Sequence, residues 1–156
     1  MIEIRRMTLE DIPAVVEIDK MSFTLPWTER AFTHEVQENK AARCWVTTQN
    51  DIVAAMIVLW IIVDEAHIAT IATHPKYRRR GFAKKMLVKA LQAAREEGAT
   101  KALLEVRARH VVAQKIYCDI GFVEVGHRPM YYRDNGEDAV LMTLENLDSL
   151  KSAGAE

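Results

Sequence analysis

The stretch from Ile68 to Gln92 limits most what this chain can fold into. An apolar, β-compatible run ends at Thr73, and His74-Pro75 breaks it. Arg78-Arg79-Arg80-Gly81-Phe82-Ala83 follows, and apolar positions at 83, 86, 87, 90, 91 and 94 then keep the spacing of one helix face. The expected order is strand, basic turn with a glycine, helix. The first amides of a helix have no partner inside it, and the helix dipole adds partial positive charge there. Gly81 lets a ligand come close to the backbone, and three arginines raise the local positive potential. Such a turn suits a phosphate group. It is neither G-x-x-x-x-G-K-[ST] nor G-x-G-x-x-G, which argues against a P-loop and against a dinucleotide fingerprint. The plain alternative is a helix that happens to begin with solvated arginines.

The 156 residues fit one domain, expected over 1–150, with a frayed tail at 151–156. Hydrophobic residues make up 49% and charged residues 28%, and the net charge is −1. The basic turn is therefore a local feature, and no nucleic-acid partner is expected. Cys44 and Cys118 give neither a disulfide framework nor metal spacing, and five scattered histidines add no ligand pair, so no metal is expected. Cys118 is expected to be a small buried residue. The N-terminus has no signal-peptide pattern, and the apolar run Ile52–Val63 is too short to cross a bilayer as a helix. A buried strand there, no membrane partner and a cytoplasmic location are the expectations.

Strands are expected at Ile2–Met7, Cys44–Thr48, Ile52–Val63, Ala66–Thr73, Ala102–Arg107, Phe122–Gly126 and Glu137–Leu144. Thr8 and Thr28 read as caps of two helices, one reaching about Met21 and one over 29–39. A third helix should end near Gly98 and a fourth should span Val111–Ile120, while His127–Gly136 reads as a loop. The order β-α-α-β-β-β-α-β-α-β-β mixes hairpins with helical crossovers, so a mixed sheet of α/β or α+β class is expected.

Arg78-x-x-Gly81-x-Ala83 resembles the Q/R-x-x-G-x-G/A signature of the GNAT N-acetyltransferases, in which the turn holds the pyrophosphate of coenzyme A. A thioester donor needs an amine nucleophile, and the rest of the chain offers groups for that reaction. In the strand Ala102–Arg107, Leu103, Glu105 and Arg107 face one way and Ala102, Leu104 and Val106 the other. A strand between two crossover helices should be covered on both faces, where a carboxylate is costly unless paired or used at a site. Glu105 is thus either the partner of an arginine or a general base. Tyr117, on the apolar face of the next helix, is either a core tyrosine or an acid for the departing thiolate. An α-amine has a pKa of about 8, so a base of modest strength is enough. Ile71-Ala72-Thr73 can offer backbone groups to a pantetheine arm.

Nearly the whole chain resembles GNAT enzymes of the ribosomal-protein alanine N-acetyltransferase (RimI-like) group. The pieces are Leu25-Pro26-Trp27, Asp64-Glu65-Ala66, Ile71-Ala72 with Pro75 and Tyr77, the turn from Arg78 to Ala83, Leu104-Glu105-Val106-Arg107, Ile116-Tyr117 with Gly121-Phe122, and Tyr131-Tyr132 with Glu137-Asp138-Ala139. The resemblance implies Glu105 as general base and Tyr117 as general acid. It places Ile71, Ala72 and Thr73 on the acetyl-CoA strand, and Arg79, Arg80, Gly81, Phe82, Ala83 and Lys84 on the pyrophosphate loop that Arg78 opens. Loops holding Trp27 and Tyr131-Tyr132 would frame a peptide N-terminus. The implied fold is the GNAT fold, a mixed sheet whose fourth and fifth strands splay to admit the cofactor. One departure is Arg109-His110, where the family has Ser-Asn ahead of the acid's helix; His110 then stands in the cofactor-contacting place. The implied function is acetyl transfer from acetyl-CoA to a protein N-terminus, with an N-terminal alanine of a ribosomal protein foremost. A GNAT acting on a small amine and a non-catalytic acyl-CoA-binding module are the alternatives.

Overall fold

The structure is a computed structural model that describes residues 1–150; the expected tail 151–156 lies outside the described residues. Seven strands and four helices follow the expected order: β1 (Ile2–Arg6), α1 (Ile12–Ser22), α2 (Glu29–Gln37), β2 (Ala42–Gln49), β3 (Ile52–Ile62), β4 (Glu65–Thr73), α3 (Phe82–Glu96), β5 (Lys101–Arg107), α4 (Val111–Ile120), β6 (Val123–Arg128) and β7 (Ala139–Leu144). Local chemistry sets several boundaries. The Thr28 hydroxyl accepts from the Ala31 amide at 3.1 Å, which starts α2. Asn50 and Asp51 both take left-handed φ values, 50° and 68°, as a tight β2–β3 hairpin requires. β6 runs two residues beyond the sequence expectation. His127 and Arg128, expected in a loop, pair with Val140 and Ala139 after a bulge between Glu124 and Gly126. An edge strand exposed on both faces carries no alternation to read.

The strand order is β1-β2-β3-β4-β5-β7-β6. Every pairing is antiparallel except β4 with β5, and that one is short: Glu65, Ala66 and His67 meet Lys101, Ala102 and Leu103. Just beyond, β4 bulges at Ala69, because Ile68 pairs with Leu59 while Thr70 pairs with Val58. From Ile68 to Thr73, β4 keeps β3 on one side and has no β5 on the other. The two strands therefore diverge into a V.

Two apolar layers hold the sheet. On one face Met86, Leu87 and Leu91 of α3 and Ile120 of α4 pack with Ile57, Leu59, Leu104 and Val106. On the other, Val15 and Ile18 of α1 and Phe32 of α2 pack with Val46, Met56, Val58 and Ala72. Full burial of each such side chain is worth about 1.5–3 kcal/mol. The second layer contains no residue of β5. This overturns the expectation that β5 is covered on both faces. Both helices flanking β5 in sequence pack on its Ala102–Leu104–Val106 side, and α1 and α2 cover only β2 to β4. Leu103, Glu105 and Arg107 consequently stay partly or fully exposed.

Candidate active site

The chain leaves β4 at Thr73 and makes a 3-10 turn over Pro75–Tyr77. Tyr77 is buried and stacks on Phe82 with ring centroids 6.2 Å apart, which pins the start of α3. Between them Arg79 and Gly81 both take left-handed φ values, 66° and 78°. Left-handed residues in such turns make successive amides converge on an anion. Holding Arg79 there costs of order 1–3 kcal/mol, strain of the kind found at binding sites. A Cβ on Gly81 would meet no atom within 4 Å, so the space in front of the turn is open.

A cleft of about 650 Å³ begins at this turn. Arg78, Arg79, Gly81, Phe82, Ala83 and Lys84 line its end at the turn. Ile71, Ala72 and Thr73 line it with the free edge of β4, and Val112, Ala113, Ile116 and Tyr117 of α4 stand opposite. Ser22 and Phe23 close one side. The Arg78 Nε donates to the Thr73 carbonyl at 3.0 Å and so ties the turn to the strand end. Arg80 is turned elsewhere: its guanidinium donates to Gln49 at 3.1 Å and lies 5.4 Å from the Tyr77 ring. Phe82 takes the core place expected for Ala83, which faces the cleft instead. An extended, uncharged arm could pair along β4 with its phosphates in the turn, and this matches the donor and acceptor groups of coenzyme A.

His110 sits at the cleft rim in the N-cap position of α4, but its ring makes no cap bond. Burial, then the charge of Arg78, holds its pKa below the ordinary value, so the imidazole is neutral at pH 7. A neutral ring can donate one hydrogen bond and accept one. Tyr117 is buried on the cleft wall, 6.0 Å from the Phe122 ring. Burial raises its hydroxyl well above the usual tyrosine pKa, with Tyr132 adding to the rise, so it remains a proton donor at working pH.

Glu105 lies outside the cleft wall, on the uncovered face of β5. Of the two alternatives raised for it, the arginine partner is present there. Its Oε2 is 3.0 Å from Nε of Arg128, and its Oε1 accepts from the Tyr131 hydroxyl at 3.1 Å. The carboxylate is accessible, however, with a side chain 34% exposed. Tyr132 links the two sides, since it is felt electrostatically by Tyr117 and itself feels Glu105. Burial lifts its pKa to about 12, Glu105 adds to the rise, and Arg107 opposes it.

Arg107 organises the segment between β6 and β7. Its guanidinium reaches Asp134 at 2.8 Å and Glu137 at 3.3 Å and lies 4.0 Å from the Tyr132 ring centroid. Glu137 also accepts from the Arg109 amide at 2.7 Å, and Asp134 takes the Thr24 hydroxyl. In the sequence, Glu137 stands out only as part of the family resemblance, and neither Asp134 nor this role of Arg107 does. The available signal was an arginine two positions after Glu105, hence on the same strand face, with an acid-rich loop downstream.

Trp27 is not brought to the cleft. Its ring packs 5.2 Å from Phe32, its amide donates to the buried Asp19 at 2.7 Å, and it lines a separate shallow hollow with Pro26 and Trp60. Cys118 is exposed, which corrects the expectation of burial. The core face of α4 is Ala113, Tyr117 and Ile120, and the residue after Tyr117 is turned about 100° away.

A strand pair splayed beside an anion-binding helix start defines a scaffold for transfer from a phosphate-tailed thioester. The chain belongs to the Acetyltransferase (GNAT) family, which it matches over residues 12–122. It is thus an N-acetyltransferase that uses acetyl-CoA. A Bacillus subtilis (strain 168) protein, provisionally named a [ribosomal protein bS18]-alanine N-acetyltransferase, is 40% identical over 139 residues, covering 89% of this chain and 92% of the relative. The crystal structure of the ribosomal-protein-S18-alanine N-acetyltransferase from Escherichia coli superposes with a TM-score of 0.84 at 31% identity, covering 92% of this chain and 93% of that one. A Salmonella typhimurium acetyltransferase solved with acetyl-CoA shares the fold at a TM-score of 0.79 and 17% identity, covering 99% of each chain.

Proposed function

We propose that this protein acetylates the α-amine of a protein N-terminus, with an N-terminal alanine of a ribosomal protein as the foremost acceptor, in the cytoplasm. Residues 1–150 form the one domain that does so. The observation that carries the reading is an arrangement on two sides of one splayed strand pair. The cleft of Ile71–Thr73 and the arginine turn offers a donor seat, and the accessible Glu105 carboxylate faces the uncovered side of β5. The named activity of the two similar proteins supports the choice of acceptor.

In this reading the amides of the turn from Arg79 to Lys84 hold the diphosphate, and Arg78 steadies the turn on β4. His110 gives one further hydrogen bond at the rim. About a tenth of an α-amine with a pKa near 8 is already neutral at pH 7. Glu105 takes the remaining proton, directly or through one water, as the nitrogen bonds to the acetyl carbon and the carbon–sulfur bond breaks. Tyr117, still protonated, gives its proton to the departing thiolate, and the proton shed by the acylated nitrogen restores the phenol. Tyr131 and Tyr132 hold the acceptor side together with Arg107. The test is a library of short peptides that differ in their first two residues, incubated with acetyl-CoA and read by mass. N-terminal acetylation that favours alanine, reduced about 10²- to 10⁴-fold in Glu105→Gln with acetyl-CoA affinity intact, is expected. Acetylation of small amines with none of any peptide refutes the reading.

A further inference from the structure

Both oxygens of the Glu105 carboxylate are occupied, one by a neutral hydroxyl and one by a cation. The two contacts differ in quality. The Tyr131 hydroxyl makes a formed hydrogen bond of 3.1 Å. Arg128 comes within 3.0 Å through Nε, close enough for an ion pair but outside hydrogen-bond alignment, and its side chain is 59% exposed. Arg107, two residues along β5 from Glu105, shows the contrast. Its guanidinium donates to both carboxylate oxygens of Asp134, at 3.1 and 2.8 Å, and its side chain is only 24% exposed. Arg107 is fastened to Asp134 by two hydrogen bonds; Arg128, at the last position of an edge strand, is more exposed and lies 5.7 Å from the Tyr131 ring centroid.

A general base must come within about 2.6–3.2 Å of the proton that it takes. On Glu105 that place is held by Arg128. We propose that Arg128 occupies the ammonium seat of the acceptor in the resting enzyme and yields it to an incoming α-ammonium. The inference rests on the reading of Glu105 as the base. Arg128 is thus a resting-state competitor for the acceptor's place on Glu105. An acceptor that arrives as a cation replaces the charge that leaves Glu105, whereas a neutral analogue binds with Arg128 left in place. Tyr131 stays on the other oxygen and keeps the carboxylate in its rotamer during the exchange. An exposed ion pair is worth at most about 1 kcal/mol, so the competition should weaken acceptor binding by no more than about fivefold.

The test uses steady-state kinetics on the best peptide of the library, with wild type, Arg128→Gln and Arg128→Lys. Glutamine should lower the peptide KM about two- to fivefold and change kcat less than KM. Lysine, which keeps the charge, should restore the wild-type KM. A peptide with its amine replaced by hydrogen serves as a competitive inhibitor. The preference for amine over this analogue should rise two- to fivefold in the glutamine variant. An unchanged or raised KM, or an equal change with lysine, overturns the gate while leaving peptide acetylation in place. Absence of wild-type turnover on every peptide overturns both.

Discussion

Gly81→Ala tests the phosphate turn with two readouts that the structure separates. Gly81 has φ 78° and ψ 10° at the N-cap of α3. An L-residue in that region costs about 1–2 kcal/mol, and no atom within 4 Å of the added methyl raises the figure further. For a domain of this size the melting temperature should fall by about 2–8 °C. The second effect depends on function. The methyl projects from a residue of the cleft wall, beside the amides assigned to the diphosphate. Loss of one hydrogen bond to a charged group is worth about 1.5–3 kcal/mol, or about ten- to a hundredfold in acetyl-CoA affinity. Gly98→Ala supplies the control. Its φ is 105°, a Cβ there also meets nothing within 4 Å, and it lies beyond the far end of α3. Calorimetric titration with acetyl-CoA and thermal melts of both variants should show similar destabilisation and a binding defect in Gly81→Ala alone. Acetyl-CoA affinity within twofold of wild type in Gly81→Ala would refute the assignment of these amides.

Three further outcomes are expected. Tyr117→Phe should slow turnover about 10²- to 10⁴-fold with little loss of stability, because the hydroxyl's raised pKa comes from burial and Tyr132 rather than from a hydrogen bond; rapid-quench measurement of thiol release checks it. Arg107→Met should raise the peptide KM more than the acetyl-CoA KM, because it unties from β5 the segment that bears Tyr131, Tyr132, Asp134 and Glu137; kinetics with each substrate varied in turn decide this. Asp19 is buried with Oδ1 unpartnered, and burial raises its pKa despite the Trp27 amide. A carboxyl raised on folding contributes fully below its unfolded pKa, about 3.9, and loses that contribution as pH rises through the folded value. The stability of wild type relative to Asp19→Asn should therefore decline as pH rises above about 4 in denaturant titrations, and a difference independent of pH would exclude a desolvated carboxyl.

Features set by local chemistry were readable from the chain. The helix face of α3, the Thr28 cap and the span Val111–Ile120 of α4 each depend on a few neighbouring residues, and each lies close to its expected place. What failed depends on neighbours distant in sequence. Alternation in β5 showed which residues share a face with Glu105, but how far α1 and α2 reach across the sheet is set by packing that no window of β5 contains. Three arginines at 78–80 look equivalent as letters. Gln49, at the end of β2, takes Arg80 out of the cleft. Trp27 reads as an exposed aromatic until Phe32 and Asp19 give it partners.

The uncovered face of β5 also explains why a carboxylate can serve on a central strand. Had α1 and α2 extended one strand further, Glu105 would have been sealed in an apolar layer, where an ion pair is the stable solution and a proton has no route to water. They stop at β4, which they cover through Ala72, the same segment whose other edge is free beyond the Ala69 bulge. One feature of the sheet, the parting of β4 from β5 after His67, therefore opens the edge proposed for the donor and the space proposed for the acceptor. A substitution that extended β4–β5 pairing past His67 should close the first and crowd the second, and should impair both substrates together without touching any residue named for chemistry.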